Sequence, residues 1–129
     1  MSHENLEIVQ RFVERYNETG APPWEEMDPD VVWVIDPGAF LAGTYRGREG
    51  VSTLFARMAE VFGEVRAEID DYIDVGDSVV AIGRFRVSGA LSGATGTQQI
   101  AAIFELRDGR ITAYRSYLRR EEALEAVGL

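Results

Sequence analysis

The chain has 129 residues with 22 acidic and 13 basic side chains, every basic one an arginine, and a formal charge of −9 at pH 7. It lacks cysteine and lysine and has one histidine, His3, near its N-terminal end. This composition excludes thiol and Schiff-base chemistry and argues against a histidine-activated serine, a histidine-based zinc site and a nucleic-acid partner. Neither a long apolar run nor a signal-peptide pattern is present. We therefore expect one cytoplasmic domain over residues 1–129, with no metal, cofactor or membrane partner.

Apolar residues recur at helical spacing in two stretches of the first half of the chain, and turn residues separate them. Between these stretches lies an apolar run typical of a buried strand, which Pro37 and Gly38 end. In chain order, this half is predicted to form a helix from Ser2 as N-cap to Gly20, a helical turn within Trp24–Met27, a strand over Val31–Ile35, an extended piece around Thr44–Tyr45, and a helix from about Arg48 to Phe62.

After Gly63 the apolar period changes from 3.6 to 2, which indicates strands. Segment 88–97 is rich in small residues and predicts a hairpin loop, because no helix follows it to form a phosphate cradle. The predicted elements are strands over about 65–75, Ser78–Val87, Gln98–Leu106 and Arg110–Leu118, then a short helix over Glu121–Val127. Helices followed by a meander predict an α+β fold with the helices on one face of an antiparallel sheet.

Two of the predicted strands carry apolar residues on both faces, over Val79–Val87 and Ile100–Leu106. Helices on one side of the sheet cover only one of these faces. The other face would expose a large apolar patch unless a partner covers it. We therefore predict a homodimer formed through the convex face of the sheet.

Asp36 is the candidate with the clearest chemistry, because it follows the buried strand directly and precedes Pro37. A carboxylate that loses hydration at the rim of an apolar interior becomes a better general base near neutral pH. The alternative is an Asx turn, in which the side chain accepts hydrogen bonds from nearby backbone N–H groups. A second acid, Asp71, stands on an otherwise apolar strand face between Ile69 and Ile73. It is either a pocket acid or is turned outward by a strand bulge.

Five segments carry a family resemblance: Glu4–Asn17, Pro29–Trp33, Tyr45–Val51, Asp108–Tyr117 and Glu121–Ala126. Together they resemble the nuclear transport factor 2-like superfamily, in particular its SnoaL-like and ketosteroid-isomerase-like branch. The resemblance covers nearly all of the chain and implies a strongly curved, mostly antiparallel sheet wrapped around the N-terminal helices, a cystatin-like cone with an apolar central pocket. Such a fold hosts isomerases, cyclases, hydrolases and plain binding domains, so it does not fix the activity.

Similarity to ketosteroid isomerase assigns roles to particular positions. That enzyme uses an Asp base, found in an Asp-Pro at the end of its first strand, with a Tyr and a protonated Asp as oxyanion donors. Asp36 matches the base, whereas Phe12 and Ala102 stand where the two donors would be. The resemblance therefore argues against a steroid isomerase, although Tyr16, one helical turn beyond Phe12, would replace the tyrosine if the helix register differs.

Limonene-epoxide hydrolase, another relative, relies on an Arg-x-Asp arrangement on a strand, and here Arg84-Phe85-Arg86 supplies the Arg without the Asp. The register of this strand is open, so Arg84 either lines the pocket mouth or faces solvent or a partner. By resemblance, the ligand-binding residues are Phe12, Trp33, Phe40, Leu54, Met58, Arg84, Ala102, Tyr114, Ser116 and Leu118.

These observations predict a small-molecule pocket protein. The enzymatic interpretation is an isomerase, cyclase or hydrolase acting on a small apolar carbonyl compound, with Asp36 as general base and Tyr16 as a further catalytic residue. One alternative is a non-catalytic pocket that binds a small ligand, motivated by the missing oxyanion donors, and the other is a dimerisation domain, motivated by the two strands that are apolar on both faces.

Overall fold

A computed structural model describes residues 3–88 and 95–129, without the side chain of Thr95. The helices are α1 (Glu4–Thr19), α2 (Gly47–Phe62) and α3 (Arg120–Ala126), with a 3-10 turn over Trp24–Glu26. The strands are β1 (Met27–Ile35), β2 (Gly43–Arg46), β3 (Glu64–Asp74), β4 (Ser78–Ser88), β5 (Thr95–Arg107) and β6 (Arg110–Tyr117). The predicted α+β class is confirmed. The predicted cap Ser2 and most of the predicted loop 88–97 lie outside the described residues.

The two long helices form because one side of each is apolar and the other is charged. In α1 the buried side consists of Ile8, Val9, Phe12 and Tyr16. The helix ends at Gly20, whose φ of 74° is a left-handed conformation that glycine adopts without strain, and whose N–H donates to the Tyr16 carbonyl (2.7 Å). In the described part of the chain, no helix is long and apolar enough to cross a membrane.

The six strands form one curved, open sheet in the order β2-β1-β6-β5-β4-β3. All neighbours are antiparallel except β1 and β6, which run parallel. The parallel pair brings the ends of β1 and β6 to the same edge of the sheet. As a result, the residue after β1 lies next to the residue after β6, although 82 positions separate them in sequence.

A bulge in β3 changes which side chains face the helices. Ile69 pairs with Gly83 and Asp71 with Ile82, so Asp70 is the extra residue. The strands approach closely here, and a Cβ added to Gly83 would lie 2.8 Å from the Ile69 Cα. The bulge turns Asp71 to the outer face, where Arg120 approaches its carboxylate at 4.0 Å. Of the two explanations that the sequence left open for Asp71, the bulge is the one the structure supports.

The helices do not all lie on one face, so this part of the predicted architecture was wrong. Helices α1 and α2 cover the inner face, whereas α3 packs on the outer face. There Ala123 is fully buried against Val80, Ala101 and Ile103. This chain therefore covers part of the outer apolar face itself, and the homodimer stays a prediction.

Candidate functional site

A deep cavity of about 70 Å³ lies between the inner face of the sheet and helices α1 and α2. Its wall is apolar because inward-facing residues of five strands alternate with outward-facing ones, while the helices contribute their buried stripes. Seven predicted site residues line it: Phe12, Tyr16, Trp33, Leu54, Met58, Ala102 and Tyr114. Small side chains keep the space open on the sheet side, where Ala81 faces Ala102 across β4 and β5.

Aromatic rings make one side of the deep cavity rigid. Trp33 and Tyr114 are stacked with ring centroids 4.2 Å apart and planes 8° from parallel. Phe104 meets both rings edge-on, at 6.3 Å from Trp33 and 5.1 Å from Tyr114. Such edge-to-face and offset arrangements are the favourable ones for aromatic pairs. The stacked pair therefore presents a fixed, flat wall to anything that enters.

The deep cavity adjoins a wider space of about 190 Å³ nearer the surface, here called the outer mouth. The two share six lining residues: Ile35, Leu54, Met58, Phe85, Ile100 and Tyr114. Phe40 lines the outer mouth, is 64% exposed, and meets Phe62 at a centroid distance of 5.6 Å. Ser116, Thr97 and Gln98 add polar atoms here. The predictions for Phe40 and Ser116 thus fall on the outer mouth, whereas Trp33 belongs to the deep cavity.

Tyr16 and Tyr114 supply the hydroxyl groups of the deep cavity, and the indole N–H of Trp33 is the other conventional hydrogen-bond donor among the side chains that line it. Burial raises the pKa of Tyr16 to about 12. Burial, and then repulsion from Tyr16, raises the pKa of Tyr114. Neither hydroxyl is hydrogen-bonded to any of the described residues. Every fully enclosed side-chain polar atom among those residues has a hydrogen-bond partner, so these two hydroxyls are accessible rather than fully enclosed. Both phenols are neutral near pH 7 and can donate a hydrogen bond.

Asp36 lies beside the outer mouth in an Asx turn. The Gly38 N–H donates to its Oδ1 at 2.8 Å, and the Leu118 N–H donates to its Oδ2 at 3.2 Å. The backbone N–H of Asp36 donates to Ser116 Oγ at 3.4 Å. The carboxylate is partly exposed and lines neither the deep cavity nor the outer mouth. These bonds join the ends of β1 and β6.

Two other predicted ligand-binding residues lie away from both spaces. Arg84 is on the outer face, paired with Glu68 (3.3 Å) and Asp70, because it alternates with Phe85, which faces inward. Leu118 also lines neither space, and its side chain lies beside Gly38 in the Asp36 turn.

Several inward residues were not assigned to the pocket by the sequence analysis. Phe55, Phe85 and Phe104 line the deep cavity, and Phe62 lines the outer mouth. Phe85 and Phe104 stand on strands that are apolar on both faces, so the sequence did not show which of these residues face inward. No group of three acidic or histidine side chains suited to a metal ion occurs within residues 3–88 and 95–129.

Comparison with solved structures supports the same architecture. An NTF2-like protein of unknown function from Burkholderia pseudomallei is 22% identical, with 100% of both chains covered and a TM-score of 0.79. TerC, co-crystallised with polyporic acid, is 26% identical, with 98% of this chain and 99% of TerC covered and a TM-score of 0.79. A Catenulispora acidiphila protein with a ketosteroid isomerase-like fold, in complex with trimethylamine, is 21% identical, with coverages of 95% and 93% and a TM-score of 0.71.

Sequence comparison identifies the family. No curated protein matches the chain at a significant level. The model of the SnoaL-like domain matches residues 9–114, which is most of the chain. The resemblance found in the sequence is therefore confirmed, and the chain belongs to the SnoaL-like domain family, with an NTF2-like fold.

Proposed function

We propose that this protein binds a small, mostly apolar organic molecule whose oxygen atom accepts hydrogen bonds from Tyr16 and Tyr114. The observation that carries the proposal is the pair of neutral phenols, without partners among the described residues, in a cavity whose other lining side chains are apolar apart from the indole N–H of Trp33. A small molecule can reach both hydroxyls, since no fully enclosed side-chain polar atom among the described residues lacks a partner. A carbonyl or ether oxygen of a ligand would supply the missing hydrogen-bond partner and would orient the ligand in the cavity.

The sizes of the two spaces favour a particular pose. An engineered apolar cavity of about 150 Å³ holds benzene, so the deep cavity, at about 70 Å³, accommodates only one end of such a molecule. The outer mouth is larger and has a partly polar rim. Because the phenols line the deep cavity, the oxygen-bearing end of the ligand would enter it, and the apolar body would lie in the outer mouth beside the Phe40–Phe62 pair.

Relatives with small organic molecules support this proposal. TerC was co-crystallised with polyporic acid, and the Catenulispora acidiphila protein is in complex with trimethylamine. Both have the fold of this chain. They support a binding role for the fold, and the cavity lining of this chain supports the choice of ligand class.

The proposal is tested with acetophenone and cumene, which have nearly the same shape but differ in that only acetophenone carries a carbonyl oxygen. Dissociation constants are measured by NMR titration for the wild type, Tyr16→Phe, Tyr114→Phe and the double variant. One neutral hydrogen bond contributes about 0.5–1.5 kcal/mol, which is roughly a 2- to 10-fold preference. We expect the ratio of acetophenone affinity to cumene affinity to fall from the wild type to the double variant by at least this factor, because the carbonyl would then be buried without a hydrogen-bond partner. An equal ratio in the two proteins would refute the proposal.

A second candidate function is catalysis with Asp36 as general base, acting on a carbon atom beside the ligand's carbonyl. It is favoured by the position of Asp36 directly after Ile35, which lines both the deep cavity and the outer mouth. Its bonds to the Gly38 and Leu118 N–H groups stabilise the carboxylate and weigh against it. In D₂O, a base at this position would exchange the methyl protons of acetophenone for deuterium, and Asp36→Asn would abolish the exchange. If the wild type exchanges these protons no faster than buffer does, the catalytic function is rejected and only the binding function is supported.

The predicted homodimer is also a proposal. Ile73, Ile82 and Tyr117 are apolar residues of the outer face that are only partly buried by α3 and its neighbours. A second copy covering them would complete the burial of this face. Sedimentation velocity should report a dimer that Ile82→Asp converts to a monomer. A monomeric wild type would contradict the proposal.

A further inference from the structure

A third space adjoins the deep cavity, and it shares Met58 and Val65 with the outer mouth. It is a surface groove of about 270 Å³ between the C-terminal ends of α1 and α2. Tyr16, Phe55 and Met58 line both this groove and the deep cavity. We propose that Met58 is a gate between them, so that the deep cavity has a second approach, separate from the outer mouth, through this groove.

The wall at this point is thin. Leu54, one turn earlier on α2, is 1% exposed and lines only the deep cavity and the outer mouth among these spaces. Met58 and Phe55 are partly exposed, yet both also line the deep cavity. A single layer of side chains therefore separates the cavity from solvent here.

Met58 has the chemistry of a movable part of that wall. It lines the deep cavity, the outer mouth and the groove, so a change of its rotamer alters the boundaries of all three. Methionine is unbranched and has three rotatable side-chain bonds, which makes such changes easier than for branched or aromatic residues. Phe55 is held more firmly, because its ring meets Tyr16 edge-on at 5.4 Å and Trp33 at 5.9 Å.

The frame around the gate is fixed by specific hydrogen bonds. The Asn17 side-chain amide donates to the Ala67 carbonyl (2.9 Å) and its oxygen accepts from the Ala67 N–H (2.8 Å). This pair holds the end of α1 to β3 beside the groove. Movement of the Met58 side chain can therefore open the wall without displacement of α1 from β3.

The gate is tested without any ligand, through the accessibility of Trp33, which is 3% exposed and lines the deep cavity. Trp24→Phe leaves Trp33 as the single tryptophan, and acrylamide quenching of its fluorescence then measures access to the cavity. In this background, Met58→Ala should increase the quenching constant several-fold. Ala59→Phe, placed in the groove, should reverse the increase, whereas Ala39→Phe, placed in the outer mouth, should not, and neither adds a second tryptophan.

The pattern of the double variants decides the outcome. If the increase persists with Ala59→Phe and is lost with Ala39→Phe, the opened path leads through the outer mouth and the proposal is wrong. An unchanged quenching constant in Met58→Ala would also overturn it. Leu54→Ala enlarges the cavity without touching the groove, so any increase it causes should be insensitive to Ala59→Phe. Met58→Leu covers the case in which Met58→Ala unfolds. Because its side chain is stiffer, the quenching constant of Trp33 should be no larger than in the wild type, and a larger constant would overturn the proposal.

Discussion

Filling the deep cavity from the sheet side is the most informative perturbation of this protein. Ala102→Leu adds three carbon atoms at a position that lines the cavity and faces another alanine, Ala81. Burial of three such groups stabilises the fold by about 2.4 kcal/mol at 0.8 kcal/mol each. Ordering a leucine side chain costs about 0.5–1 kcal/mol. The expected net gain in the free energy of unfolding is about 1.5–2 kcal/mol.

The neighbouring residue is a matched control. Ala101 points to the outer face and packs in the cluster with Val80, Ile103 and Ala123, without lining the cavity. Leucine there should overpack a filled site and destabilise by about 1–3 kcal/mol. Urea unfolding measures both variants, and acetophenone titration should show that Ala102→Leu has lost binding. If Ala102→Leu destabilises as much as Ala101→Leu, the cavity is not an available space and the reasoning fails.

Three further predictions concern pH and the strand connections. Burial raises the pKa of Tyr16 from 10.0 to about 12, so the unfolded chain loses this proton at a lower pH than the folded one. The free energy of unfolding should therefore fall from about pH 10 upward, by at most about 1.4 kcal/mol per pH unit for each such tyrosine. In Tyr16→Phe the free energy of unfolding should fall less steeply with pH, and an equal slope would contradict the assignment. Asp36→Ala removes two backbone partners and should cost about 1–3 kcal/mol in urea unfolding, whereas a neutral effect would show that the turn does not stabilise the β1–β6 junction. Gly83→Ala should lower the free energy of unfolding by about 1–3 kcal/mol, because the added Cβ would push β3 away from β4. Gly96→Ala is the matched control and should be tolerated, since its added Cβ would come no closer than 3.8 Å to Val87. Equal effects of the two substitutions in urea unfolding would argue against the close approach at Gly83.

The sequence predicted most of the fold because its two periods are clear. Helix α2 begins at Gly47, one residue before the predicted Arg48, and ends at the predicted Phe62. Strand β1 begins at Met27, four residues before the prediction, because a register irregularity between Met27 and Val32 accommodates Pro29. The side of the sheet on which α3 packs was missed, since the apolar side of a short helix does not specify which face it covers.

The site was less predictable because its details depend on long-range contacts. Asp36 could be recognised locally as either a base or an Asx turn, but its second hydrogen bond comes from Leu118, 82 residues away. The face occupied by Arg84 depends on strand register, where a shift of one residue exchanges inside for outside. The family resemblance did point to Tyr16 and Met58, and both line the deep cavity, from α1 and α2.

The central claim is that an oxygen atom of the ligand lies between the two phenols of the deep cavity. Infrared spectroscopy of bound acetophenone tests this most directly, because a carbonyl that accepts hydrogen bonds absorbs at lower frequency than one in an apolar solvent. We expect a lowered carbonyl frequency in the wild type, a partial return in Tyr16→Phe and in Tyr114→Phe, and the apolar-solvent frequency in the double variant. A bound carbonyl in the wild type that absorbs as it does in an apolar solvent would contradict the account.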